Sequence, residues 1–133
     1  MKQQEPVWIR WPYARIRRDL KTERGEVIQF LAQLEYDIEA TPSGQNSPEW
    51  QTVARFDHNS DSQQGHDIAE EGLHLDIYKD GDKYRVFTGF QYVPLKRAPR
   101  YCQEYLSTHA DRLLAQFEEW HGLRGPWRIQ SSE

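Results

Sequence analysis

The stretch Leu73-His74-Leu75-Asp76-Ile77-Tyr78-Lys79-Asp80-Gly81-Asp82-Lys83-Tyr84-Arg85-Val86-Phe87 reads as two strands joined by a tight turn. Leu73, Leu75 and Ile77 alternate with His74, Asp76 and Tyr78, the period-two pattern of a half-buried strand. Asp80-Gly81 then supplies two residues that tolerate positive φ, as a type I′ hairpin turn requires. With those two as the turn centre, Ile77 is expected opposite Tyr84, Asp76 opposite Arg85, Leu75 opposite Val86 and His74 opposite Phe87.

Upstream, residues 26–38 alternate in the same way. Ile28, Phe30, Ala32, Leu34, Tyr36 and Ile38 share one face, and Gln29, Gln33, Glu35 and Asp37 share the other. The run Thr41-Pro42-Ser43-Gly44-Gln45-Asn46-Ser47-Pro48 ends this strand as a loop by composition. Residues 50–58 resume it, with Trp50, Ala54 and Phe56 expected toward the core and Val53, Arg55 and Asp57 away from it. Residues 59–71 are polar and aperiodic, a long loop of the kind that tends to be functional. Val7–Trp11 reads as a further short strand.

Downstream, Pro99 suits the first turn of a helix. Cys102, Leu106, Leu113, Phe117 and Trp120 recur at helical spacing, and Gly122 fits just past its end. Thr108-x-x-Asp111 has the form of a capping box and suggests a break near His109. The expected fold is α+β: a single, mostly antiparallel sheet of four to five strands packed against a C-terminal helix, all within one domain spanning residues 1–133. The helix is expected on the Phe30/Phe56/Leu75 face.

The chain has 133 residues, 37% of them hydrophobic, and its mean hydropathy is −0.95. Five Trp, seven Tyr and five Phe offset that low apolar content, because each ring buries a large area. Such a ring-rich chain is unlike a disordered one. No apolar run reaches the ~18 residues of a membrane span, and a start rich in Arg is unlike a secretory signal. A single cysteine, Cys102, excludes an internal disulfide and points to a reducing compartment, the cytoplasm. Its place on the apolar helix stripe reads as core.

Charge is divided unevenly. Residues 1–24 carry seven Lys/Arg against three acids, whereas Asp57 to Asp82 holds eight acids and one base, Lys79. Residues 1–24 are expected as a basic, aromatic N-terminal arm. Trp8, Arg10, Trp11, Arg15, Arg17 and Arg18, with Tyr13 among them, combine rings that stack on bases with guanidiniums that seek phosphate. The plainer reading packs those rings on the domain and leaves the arginines solvated.

The other constellation is a polar strand face. Arg55 and Asp57 come from one strand, His74, Asp76, Tyr78 and Arg85 from the hairpin, and His58, His66 and Asp67 from in or beside the loop between them. His66, His74 and Asp76 have the chemistry of a divalent-metal set. No other cofactor is expected. Without a metal, a histidine among His58, His66 and His74 could move protons while Arg55 or Arg85 met the charge of a phosphorane during RNA cleavage. The plain alternative is a solvated strand face, with Asp76 paired across the hairpin to Arg85. Asp57-x-Asn59-x-Asp61 fails as a calcium loop, because Ser62 and Ile68 stand where Gly and Glu are needed. The sequence contains no Gly-rich phosphate loop, nucleophile elbow or HExxH.

The segments Arg55-Phe56-Asp57-His58, Gly65-His66-Asp67 and Gly72-Leu73-His74-Leu75-Asp76-Ile77-Tyr78 resemble a group of small, uncharacterised prokaryotic domains. More distantly, they are similar to the TumE-type toxins of toxin–antitoxin systems, which share an Arg-aromatic-Asp strand and downstream histidines. The resemblance covers residues 26–90, and His58 stands where those toxins carry Asn. It implies a small accessory or defence protein with a cognate protein partner, acting on RNA through Arg55, Asp57, His58, His66, His74 and Asp76. The alternative is a non-catalytic module that binds protein or nucleic acid through residues 1–24. Whether the chain is an enzyme stays open at this point.

Overall fold

The computed structural model describes residues 1–59 and 68–123. Among the described residues, seven strands and two helices follow in chain order: β1 Lys2–Gln3, β2 Val7–Arg10, β3 Ala14–Glu23, β4 Glu26–Asp37, β5 Trp50–Asn59, α1 Ile68–Glu71, β6 Leu75–Lys79, β7 Asp82–Phe87 and α2 Ala98–His121. The strands form one antiparallel sheet in the order β1-β3-β4-β5-β6-β7, with β2 also paired to β3. The fold is thus α+β with a C-terminal helix, and the sheet has seven strands where four to five were expected. The surplus comes from residues 1–24. β2 falls where the short strand Val7–Trp11 was expected, and what otherwise read as an arm is β1 and β3, with β3 alternating Ala14, Ile16 and Leu20 with Arg15, Arg17 and Asp19.

Helix α2 packs on one face of the sheet. Cys102, Leu106, Ala110, Leu113 and Phe117 are buried against Ile16, Phe30, Leu34, Tyr36, Phe56 and Leu75. Phe56 meets Phe90 and Tyr105 edge-on at 5.4 and 5.6 Å, and Tyr36 lies 5.3 Å from Phe117. Tyr36 Oη donates to Glu118 Oε2 at 2.8 Å, which gives the buried carboxylate a partner. The helix runs unbroken through Thr108 and His109. Ala110 is buried, the Tyr105 and His109 rings meet at 4.2 Å, and Thr108 and Asp111 form no capping box. Gly122 closes the helix at φ 67°, with its N–H donating to Glu118 O.

Two bulges reset the expected register. In the hairpin, Asp80 and Gly81 are the central residues, at φ 54° and 83°. Between Lys83 and Arg85 one extra residue, Tyr84, enters β7. Asp76 therefore lies opposite Val86, not Arg85, and Ile77 lies opposite Arg85. Tyr84 instead meets Trp120 edge-on at 5.0 Å, which ties the hairpin to the end of α2. In β5 the bulge falls at Val53: Leu34 pairs with Ala54, but Glu35 pairs with Thr52. This shift turns Val53 into the core and Trp50 to the face away from α2, reversing the expectation for both.

Candidate functional site

The sheet face opposite α2 carries the polar residues, and register arranges them in rows. Arg17, Gln33, Arg55 and Asp76 stand side by side across β3, β4, β5 and β6. The next row holds Asp19, Leu31 and Asp57, and on the other side Arg15 stands beside Glu35. Each arginine is paired along or across strands: Arg17 to Asp19 at 2.9 Å, Arg55 to Asp57 at 3.2 Å and Arg15 to Glu35 at 3.1 Å. Gln33 Nε2 also donates to Glu35 at 2.6 Å. The carboxylates of Asp19 and Glu35 tolerate burial beside their arginines, and that of Asp37 through the backbone N–H groups it accepts, on a face that the alternation alone assigns to solvent.

The residues expected for catalysis are only partly brought together. Arg55, Asp57 and Asp76 share this face, and Asp76 is 2% exposed with Lys83 Nζ at 3.5 Å. Lys83 thus takes the place expected of Arg85, as the bulge at Tyr84 requires. His74 is half-buried just before β6. His58 pairs with Phe30 on the opposite, α2-facing side. There it is 2% exposed, stacks on Phe30 at 5.9 Å and accepts the N–H of Ile68 through Nδ1 at 3.0 Å. That geometry makes His58 an anchor for α1 and separates it from Arg55 and Asp57. His66 and Asp67 lie outside the described residues. Among the described residues, no three His, Cys, Asp or Glu side chains converge as a metal-ligand set.

The residues expected to bind nucleic acid or a partner divide as well. Arg10 pairs with Asp111 on α2, Arg17 with Asp19, and Arg18 donates to Glu5 O and to Gln103 Oε1. Three of the four phosphate-seeking arginines are therefore committed within the fold and lie away from the rings. Trp8, Trp11 and Arg15 do come together, joined by Trp50. Trp8 meets Trp11 at 4.8 Å and Trp50 at 5.9 Å, and the Arg15 guanidinium lies 4.0 Å from the Trp50 ring centroid. Trp50 was not among the expected binding residues, because its phase depends on a bulge that periodicity does not show.

These side chains wall a cleft of about 190 Å³ whose other lining comes from Pro12, from Asp37 at the end of β4 and from the loop after it, including Gly44 and Pro48. Asp37 Oδ1 accepts the N–H groups of Glu39 and Glu49, at 3.0 and 2.9 Å, and so closes the loop on itself. Gly44, at φ 70°, passes under Trp11 where an added Cβ would stand 3.4 Å from the ring. Trp8 is 40% and Trp11 62% exposed, a large apolar surface left uncovered above the hydrogen-bonded loop.

A family model described as a domain of unknown function, DUF7718, matches residues 1–123, from β1 through α2. The chain belongs to that family. Neither a curated protein nor a solved structure matches it. The DUF7718 match carries no link to TumE-type toxins, and it takes in β1–β3 and α2, which lie outside the 26–90 span of that resemblance. In the DUF7718 domain as described, no helix is long and apolar enough to cross a membrane.

Proposed function

We propose that this DUF7718 domain is a non-catalytic interaction module that captures a cognate partner in the cytoplasm through the tryptophan cleft. One observation carries the reading: three indoles, two of them exposed, line one cleft with Arg15, which lies against Trp50 and Trp8 and is held by Glu35. Exposed aromatic anchors held by a rigid frame are what binding hot spots use, because little side-chain freedom is lost on docking. The test is the change in intrinsic tryptophan fluorescence on adding protein-derived peptides and single-stranded RNA, for wild type and Trp11→Ala. The reading expects at least one saturable response that Trp11→Ala weakens. Saturation unchanged by Trp11→Ala would count against it.

A second reading retains RNA-acting chemistry of the toxin type at the other end of the same face. It is favoured by one observation, the juxtaposition of Arg55, Asp57 and Asp76 across β5 and β6. Induced expression of wild type and of His74→Ala/Asp76→Ala in a bacterial host, with total RNA examined, separates the two. Growth arrest and RNA damage from the wild type alone would favour chemistry, and equal growth with intact RNA would favour the module.

A further inference from the structure

We propose that the occupant of the tryptophan cleft is a short, extended, proline-containing segment of a partner protein that carries Arg or Lys. This rests on the module reading and names its ligand. Charge comes first. Arg15, the one cation lining the cleft among the described residues, is paired with Glu35 at 3.1 Å. What remains is acidic: Asp37 lines the floor, and Glu39 and Glu49 flank the loop, exposed and without an ion-pair partner among the described residues. A polyanion would be repelled there, while a cationic side chain gains both from these carboxylates and from the face of an exposed indole.

Hydrogen bonding gives the second constraint. The indole N–H groups of Trp8, Trp11 and Trp50 donate to no described residue, and the side chains of Trp8 and Trp11 are exposed. Free donors beside apolar ring faces suit a backbone whose own carbonyls are unpaired. A polyproline II segment has such a backbone, and its low conformational freedom reduces the entropy lost on binding. Single-stranded nucleic acid would need phosphate partners, and Arg10, Arg17 and Arg18 are committed elsewhere.

The experiment titrates the full chain with an acetylated, amidated nonapeptide of Pro-Arg-Pro repeats, read by tryptophan fluorescence and calorimetry. Parallel titrations use the same peptide with Glu for Arg, the same peptide with Ala for Pro, and oligouridylate. Expected is saturable binding of the Pro-Arg-Pro peptide alone. It should weaken about tenfold in Trp11→Ala and about threefold in Glu49→Gln, with thermal unfolding of both variants near wild type. Preference for oligouridylate, lost in Trp11→Ala, would overturn the peptide proposal and leave the module reading standing. Binding of no probe at millimolar concentration would overturn the proposal, and binding indifferent to Trp11→Ala would overturn both.

Discussion

Glu35 is 4% exposed, and it holds both Arg15 Nε at 3.1 Å and Gln33 Nε2 at 2.6 Å. Replacing it with Ala leaves a guanidinium and an amide without their acceptor. Breaking a fully buried pair from one side costs ~3–5 kcal/mol. Arg15 retains 20% exposure of its side chain and its stack on Trp50, so water recovers part of that. A cost of about 2–3 kcal/mol remains for Glu35→Ala. For a chain of 133 residues at ~2.1 cal/mol/K of unfolding entropy per residue, the melting temperature should fall by ~7–11 °C. The double variant Arg15→Met/Glu35→Leu should lie within ~1 kcal/mol of wild type, because the desolvation of both charges is removed with their attraction. Urea denaturation of wild type, both singles and the double gives the coupling energy directly. A cost for Glu35→Ala below ~0.5 kcal/mol would refute the idea that paired burial organises this face.

Three other outcomes follow from single positions. Gly81→Ala should cost about 1–2 kcal/mol of stability from backbone conformation alone. Gly81 sits at φ 83° with nothing within 4 Å of an added Cβ, so a neutral result in denaturant titration would contradict the hairpin turn. Phe56→Ala should cost ~3–5 kcal/mol by the same measurement, since the ring is fully buried against Phe90 and Tyr105. Burial pushes the Cys102 thiol well above its usual range. The unfolded chain therefore ionises that thiol near pH ~8.5 while the folded chain keeps its proton, so this group's contribution to stability is full below that pH and declines above it. A disulfide-exchange reagent should accordingly titrate Cys102 only as the protein unfolds, and rapid labelling of the native state at neutral pH would contradict its place in the core.

The apolar half of the fold is legible in the chain. Phe30, Leu34, Phe56, Leu75, Leu106 and Phe117 declare the strand and helix faces by spacing, and all are buried as expected. Asp80-Gly81 marks its turn because the backbone conformation there demands those residue types. The charged half is harder to read. Arg15, Arg17 and Asp19 look solvated one at a time, and only pairing with β4 reveals that they belong to a strand. The bulges at Val53 and Tyr84 have no local composition signal, yet each inverts the faces beyond it. Thus Trp50 moves from the expected core to the cleft, and Asp76 exchanges Arg85 for Lys83. His58 sits on the core face by simple alternation with Ala54 and Phe56, a phase obscured by its closeness to the loop.

Binding at the tryptophan cleft can be watched residue by residue in ¹⁵N–¹H spectra, where each indole N–H gives its own resonance. On titration with the Pro-Arg-Pro peptide, the signals of Trp8, Trp11 and Trp50 should move together and saturate. That of Trp120, at the far end against Tyr84, should stay. Perturbation centred instead on the amides of Arg55, His74 and Asp76, with the three cleft indoles unmoved, would contradict the module reading.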